Sequence, residues 1–277
     1  MLSRSASLCL LVGLSAFVCC TFTTTVSYAQ QQREISTTPN SADDGAQQPS
    51  KRAQYTIRKD HDPNGIGKFY HDREIAHVMG YLAAPWLERP QREGEEKLSK
   101  LINALNIKPG MVVADIGAGS GVISVMMARK VVPGGKVLAV DIQEEMLSLL
   151  SKKTKQMKIT NIEPVLGTIK SPNLKPGTVD LAIMVDVYHE FSFPYEMMLT
   201  LSKAMKPGGR IAFVEYRRED PKVRKLIKLV HTMTEAQVKK EIGQPEFRLK
   251  WKQTIDVLPL QHIVLFERIG EAAETRD

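Results

Sequence analysis

From Met111 onward, short runs rich in Val, Ile and Leu alternate with segments whose apolar side chains recur at helical spacing. The runs predict strands over Met111–Ile116, Lys136–Asp141, Ile162–Leu166, Val179–Asp186 and Gly209–Glu215. The intervening segments predict helices over Gly121–Val131, Gln143–Met157 and Pro194–Met205, the last stopped by Lys206-Pro207-Gly208-Gly209. Strands that are apolar throughout are buried on both faces, so this alternation predicts an α/β fold with helices covering a parallel sheet. The tail breaks the rhythm. Phe247–Ile255 and Gln261–Arg268 are strand-like and joined across Leu258-Pro259-Leu260 with no helix between them, which predicts a closing antiparallel hairpin. Upstream, Asp72–Met79 and Glu93–Leu105 read as helices outside the alternation, so residues 55–100 are expected to form a helical lid.

The first fifty residues carry a different pattern. Leu8–Cys20 is almost entirely apolar, follows Arg4, and leads to Ser27-Tyr28-Ala29, whose small residues suit a signal peptidase. Residues 1–29 are therefore expected to be an export signal and the chain periplasmic or secreted; the alternative is an uncleaved membrane anchor through residues 6–26. Residues 30–54 are rich in Gln, Ser, Thr, Pro and Asn and are expected to be a disordered linker. All three cysteines, Cys9, Cys19 and Cys20, lie in the apolar run, which leaves the processed chain without disulfides or thiolate ligands. The formal charge of +7 falls to +6 without Arg4, an excess compatible with a soluble enzyme and with anionic partners alike.

Candidate chemistry gathers at the ends of the predicted strands. Asp115-Ile116-Gly117-Ala118-Gly119-Ser120-Gly121 runs from a strand directly into a helix, and glycines there permit a tight turn and close approach to a ligand. A dinucleotide fingerprint would place glycine or alanine at position 122, where Val122 stands. An acid at Asp115 would repel a pyrophosphate but attract an ammonium group. Asp141 ends the second strand, where a carboxylate can accept hydrogen bonds from two ribose hydroxyls.

With these motifs in this order, followed by Val179–Asp186 and Lys206-Pro207-Gly208-Gly209-Arg210, residues 101–270 resemble the class I S-adenosylmethionine (AdoMet)-dependent methyltransferases. The resemblance implies a Rossmann-like, doubly wound, mostly parallel seven-stranded sheet with a reversed last strand, and AdoMet as cofactor. It places cofactor contacts at Asp115, Gly117, Ala118, Gly119, Gly121, Asp141, Ile142, Thr168 and Asp186. Thr168 stands where many members carry an acid for the adenine amino group.

The fourth strand ends in Asp186-Val187-Tyr188-His189-Glu190-Phe191, which makes Tyr188, His189 and Glu190 candidate catalytic groups. His189 would act as base where the acceptor carries a proton, and Glu190 would orient it or hold the acceptor. The segment resembles the histidine-containing turn of quinone-biosynthesis-like methyltransferases and not the Asn/Asp-Pro-Pro-aromatic turn of base-amine methylating enzymes. A small-molecule acceptor is therefore expected, with no nucleic acid partner. A non-catalytic binding protein of the same fold and a nucleic-acid methyltransferase are the alternatives. His61-Asp62, His71-Asp72 and His77 match no metal-ligand spacing, and no metal is expected from them. Tyr81, Trp86 and Arg89 are candidates for the pocket wall. Arg217-Arg218 and Lys222–Lys228 read as a charged helix face.

Overall fold

The computed structural model describes residues 55–270. The export segment and the linker expected over residues 1–54 lie outside the described residues. Among the described residues, no helix is long and apolar enough to cross a membrane.

After three short amino-terminal strands, β1 (Tyr55–Ile57), β2 (Gly65–Tyr70) and β3 (Arg73–Ala76), seven strands form the central sheet: β4 (Val112–Ile116), β5 (Lys136–Asp141), β6 (Ile162–Leu166), β7 (Val179–Val185), β8 (Met205–Tyr216), β9 (Leu249–Ile255) and β10 (Gln261–Arg268). Their order is β6-β5-β4-β7-β8-β10-β9. The strands from β6 to β8 pair in parallel, and β10 is antiparallel to both β8 and β9. The reversed final strand and the closing hairpin thus form as the sequence predicts. Helices at Val122–Ala128, Glu144–Gln156 and Pro194–Ala204 lie within one or a few residues of their predicted spans.

Side-chain alternation explains why the sheet is covered on both faces. In β4, Val113 packs into one apolar cluster with Leu101, Met127 and Leu181, while Ala114 and Ile116 join Tyr188, Leu201 and Phe213 in the other. In β8, Phe213 and Val214 are likewise buried on opposite faces. A buried side chain of this size contributes roughly 1.5–3 kcal/mol, and each such strand supplies several.

The amino-terminal segment departs from expectation. Residues 55–76 form a small antiparallel sheet of β1 (Tyr55–Ile57), β2 (Gly65–Tyr70) and β3 (Arg73–Ala76), so the predicted helix Asp72–Met79 is a strand instead. The turn between β2 and β3 is His71-Asp72, both at positive φ (49° and 67°), which is the backbone of a tight two-residue hairpin turn. The usual Asn-Gly or Asp-Gly signature is missing, which is why the pattern read as helical. The expected helix Glu93–Leu105 is present as two pieces, Arg92–Glu96 and Leu98–Ala104, separated by Lys97 in the left-handed region at φ 57°. Of the lid expected over 55–100, only the part beyond Tyr81 is helical.

Candidate active site

The strand order reverses between β4 and β7, leaving a crevice at the carboxyl ends of β4, β5 and β7, where open sheets bind ligands. A cavity of about 400 Å³ opens there. Gly117, Gly119, Asp141, Ile142, Thr168, Asp186, His189 and Glu190 all line it, together with Trp86 and Arg89 from the amino-terminal segment.

The glycine turn is shaped by contacts that exclude side chains. Gly117 (φ 73°) and Gly119 (φ 54°) lie in the left-handed region. A Cβ on Gly117 would lie 2.4 Å from Val187 Cγ2, and one on Gly119 would lie 2.7 Å from Leu87 Cδ1. The Gly119 N–H donates to Asp141 Oδ2 (2.8 Å) and the Gln143 N–H to Asp141 Oδ1 (2.9 Å), so one carboxylate ties the first turn to the second. Burial raises the Asp141 carboxyl above its ordinary value, opposed by these amide hydrogen bonds.

Three expected cofactor contacts lie behind this surface. Asp115 is fully buried, accepts a 2.6 Å hydrogen bond from Ser124 Oγ, and is not part of the cavity lining. Burial pushes it up to about 6, against the Ser124 hydrogen bond. It braces the start of the Val122–Ala128 helix through Ser124 and does not reach the cavity wall, where its expected ammonium partner would stand. Ala118 and Gly121 are also absent from the lining; the Gly121 backbone accommodates Leu150. Thr168 lines the cavity, but its Oγ1 accepts from the amides of Lys170 and Ser171 and so shapes its own turn. Asp186 carries the less expected feature: at φ 53° its Oδ2 accepts from Gln261 Nε2 (3.1 Å), while Oδ1 is buried with no hydrogen-bond partner among the described residues. Burial holds this carboxyl well above the carboxylate range.

Of the three expected catalytic residues, two face the cavity. Tyr188 does not: it is wholly buried against Phe191 and Phe213, and its hydroxyl donates to Glu241 Oε2 (2.9 Å). Its role is packing, a correction with a simple cause, since the short helical turn over Tyr188–Glu190 sends consecutive side chains to different sides. His189 directs Nδ1 at Glu215 Oε2 (2.6 Å) and Nε2 at His231 Nδ1 (3.2 Å). Burial pushes Glu215 up to about 8 and His189 down to about 4. His189 is thus a neutral, weakly basic imidazole at physiological pH, less suited to proton abstraction than its ordinary value suggests. Glu190 is pushed up to about 7 by burial, and its Oε2 accepts from the Met79 amide (3.3 Å).

Residues that the sequence did not single out complete the site. Glu215 is the penultimate residue of β8, His231 closes a short helical turn over Leu229–His231, and Arg73 donates to the His189 carbonyl (3.1 Å) while holding Glu241 through two hydrogen bonds of 2.7 and 2.9 Å. Each is far from His189 along the chain, and no local spacing links them.

Residues 107–258 match the family described as a methyltransferase domain. Over 149 residues the chain is 24% identical to the ubiquinone/menaquinone biosynthesis C-methyltransferase UbiE of Escherichia fergusonii, covering 52% of this chain and 59% of that one. It is 27% identical over 113 residues to an arsenite methyltransferase of Halobacterium salinarum, covering 41% of this chain and 29% of that one. The chain therefore spans less than two thirds of the length of these relatives. Among solved structures, an S-adenosylmethionine-dependent methyltransferase from Aquifex aeolicus superposes with a TM-score of 0.64 at 23% identity, covering 69% of this chain and all of that one.

Proposed function

Since the chain belongs to the methyltransferase domain family, with AdoMet as its cofactor, we propose that it transfers the methyl group to a small-molecule acceptor held beside His189 and Glu190. The observation that carries this reading is that one cavity is lined both by Gly117, Gly119 and Asp141, which suit the cofactor, and by His189 and Glu190, which suit the acceptor.

The residues present fit the cofactor. Backbone without side chains at Gly117 and Gly119 gives a ligand close access, and the four lone pairs of the Asp141 carboxylate are not all taken by the amides of Gly119, Ile142 and Gln143, which leaves acceptor capacity for ribose hydroxyls. The Oδ1 of Asp186, which no residue among those described bonds, leaves an oxygen on the cavity side for a hydrogen bond from a ligand, since a buried polar atom without a partner is costly. When bound, AdoMet supplies an electrophilic methyl group on a sulfonium. The chain's part is alignment, which is worth roughly 7–11 kcal/mol in a well-oriented pair. Trp86, Leu87 and Met197 supply apolar wall that keeps water from the reacting atoms.

The small-molecule reading draws support from the mainly apolar cavity, from the lack of a base-amine turn, and from relatives named for quinone and arsenite substrates. Labelled AdoMet incubated with the protein and a fractionated cell extract tests it. Label in the low-molecular-mass fraction is expected. Label in nucleic acid would overturn the acceptor class, and AdoMet binding with no transfer would point to a non-catalytic binding protein. We propose in addition that residues 1–29 direct export, on the sequence pattern alone; mass spectrometry of the mature amino terminus is expected to find Gln30 first.

A further inference from the structure

His189, Glu190 and His231 each present a ligand atom to the cavity, and these atoms all lie within 4.8 Å of one another. We propose that His189 Nε2, His231 Nδ1 and a Glu190 carboxylate oxygen bind one divalent ion of the zinc, cobalt or iron(II) class.

The spacing approaches that of a coordination sphere around a small ion. Two nitrogens at 2.0–2.1 Å from a tetrahedral centre are about 3.3 Å apart. Nε2 and Nδ1 are 3.2 Å apart. Glu190 Oε1 lies 3.9 Å from His189 Nε2, and about half an ångström of side-chain movement brings it to the same spacing. Its other oxygen is occupied by the Met79 amide, which leaves Oε1 for the ion.

The surroundings are those that metal-binding imidazoles require. A ligating histidine ordinarily gives its second nitrogen to a carboxylate or carbonyl, which fixes the ring. Glu215 Oε2 occupies that position at 2.6 Å from Nδ1, wholly buried, and is itself held by the Tyr188 amide (3.0 Å). Arg73 fixes the His189 backbone from behind through its carbonyl. Lys228 also lines the cavity, and its ammonium is the cation the ion would have to accommodate.

The donor set selects the ion. Two imidazoles and one carboxylate suit zinc, cobalt and iron(II), whereas magnesium and calcium prefer oxygen alone and copper(I) prefers sulfur. Three protein ligands leave at least one position open. Because all three residues line the cavity, an ion held there would be within reach of an oxygen or sulfur of the acceptor; this last step rests on the small-molecule reading above, and the ion site itself does not.

The test is cobalt(II) titration of the full, tag-free chain after chelator treatment, followed by visible absorption and mass-spectrometric stoichiometry. One cobalt per chain is expected, with ligand-field bands that zinc displaces. Glu215→Gln is expected to weaken binding about 10–100-fold, the usual effect of losing an outer carboxylate partner. His231→Ala and Glu190→Gln should abolish the bands, and His61→Ala should leave them unchanged. Glu190→Gln is nearly isosteric, and thermal melting of each variant separates lost ligation from lost folding. The proposal is overturned if no cobalt binds, or if bound cobalt survives both ligand variants. Because the readout is independent of methyl transfer, an inactive extract assay leaves it standing, and failure to bind cobalt leaves the acceptor reading intact.

Discussion

The Glu215 carboxylate stands 2.6 Å from Nδ1 of His189, with both side chains buried. This contact decides which nitrogen of the ring faces the cavity, because Nδ1 is committed and only Nε2 remains. The two residues come from the turn after β7 and from the end of β8, neighbours in the sheet though far apart in the chain.

The first prediction concerns His189. His189→Ala is expected to lower kcat by about 10²-fold through lost alignment of the acceptor, while AdoMet affinity, measured by calorimetry, stays within a few-fold of the unaltered chain. Unchanged turnover would remove His189 from the chemistry, and equal loss of binding and turnover would make its role purely structural.

The second concerns the turn at Gly117. Gly117→Ala places a Cβ 2.4 Å from Val187 Cγ2 on a backbone at φ 73°. Steric conflict and backbone strain should both weaken AdoMet binding, the strain alone costing roughly 1–2 kcal/mol. Adding Val187→Ala relieves the conflict but not the strain, so the double variant should recover part of the lost affinity. No recovery in a double-mutant cycle would show that Val187 does not shape the turn.

The third is a pH dependence. Burial raises Asp115 from 3.8 to about 6, so the folded chain holds this proton more tightly than the unfolded chain. Its contribution to stability is therefore greatest below about pH 4 and is lost as pH rises to about 6, leaving a penalty of about 3 kcal/mol above that. Asp115→Asn removes the titration. The stability difference between the variant and the parent, from urea melts, should grow in the variant's favour between pH 4 and 6; a difference that stays flat over this range contradicts the assignment.

The fourth concerns the buried pair Arg73–Glu241, whose side chains are 2% and 0% exposed. Removing one partner leaves a buried charge, so Arg73→Met is expected to cost about 3–5 kcal/mol. Arg73→Met combined with Glu241→Leu should regain much of that stability in chemical denaturation, yet still lose turnover, because Arg73 also holds the His189 carbonyl. Full activity in a stable double variant would separate the pair from the site.

The sequence by itself determined the sheet, its reversed final strand and the cofactor turns. These features are local: apolar runs, helical spacing and glycines at strand ends record constraints that act within a few residues. Gly117, Gly119 and Asp141 were legible for that reason, and they line the cavity. The amino-terminal hairpin was not legible, because His71-Asp72 adopts a turn normally marked by glycine or asparagine.

Only the tertiary structure decided which acids and histidines meet. It withdrew Asp115 behind the turn and left Asp186 with an unpartnered oxygen. It sent Tyr188 into the core and brought Glu215 and His231 to the two nitrogens of His189. Side-chain direction at the end of a strand depends on the packing of neighbouring strands and loops, and burial sets the charge state of each group. Neither quantity is carried by the spacing of residues along one chain.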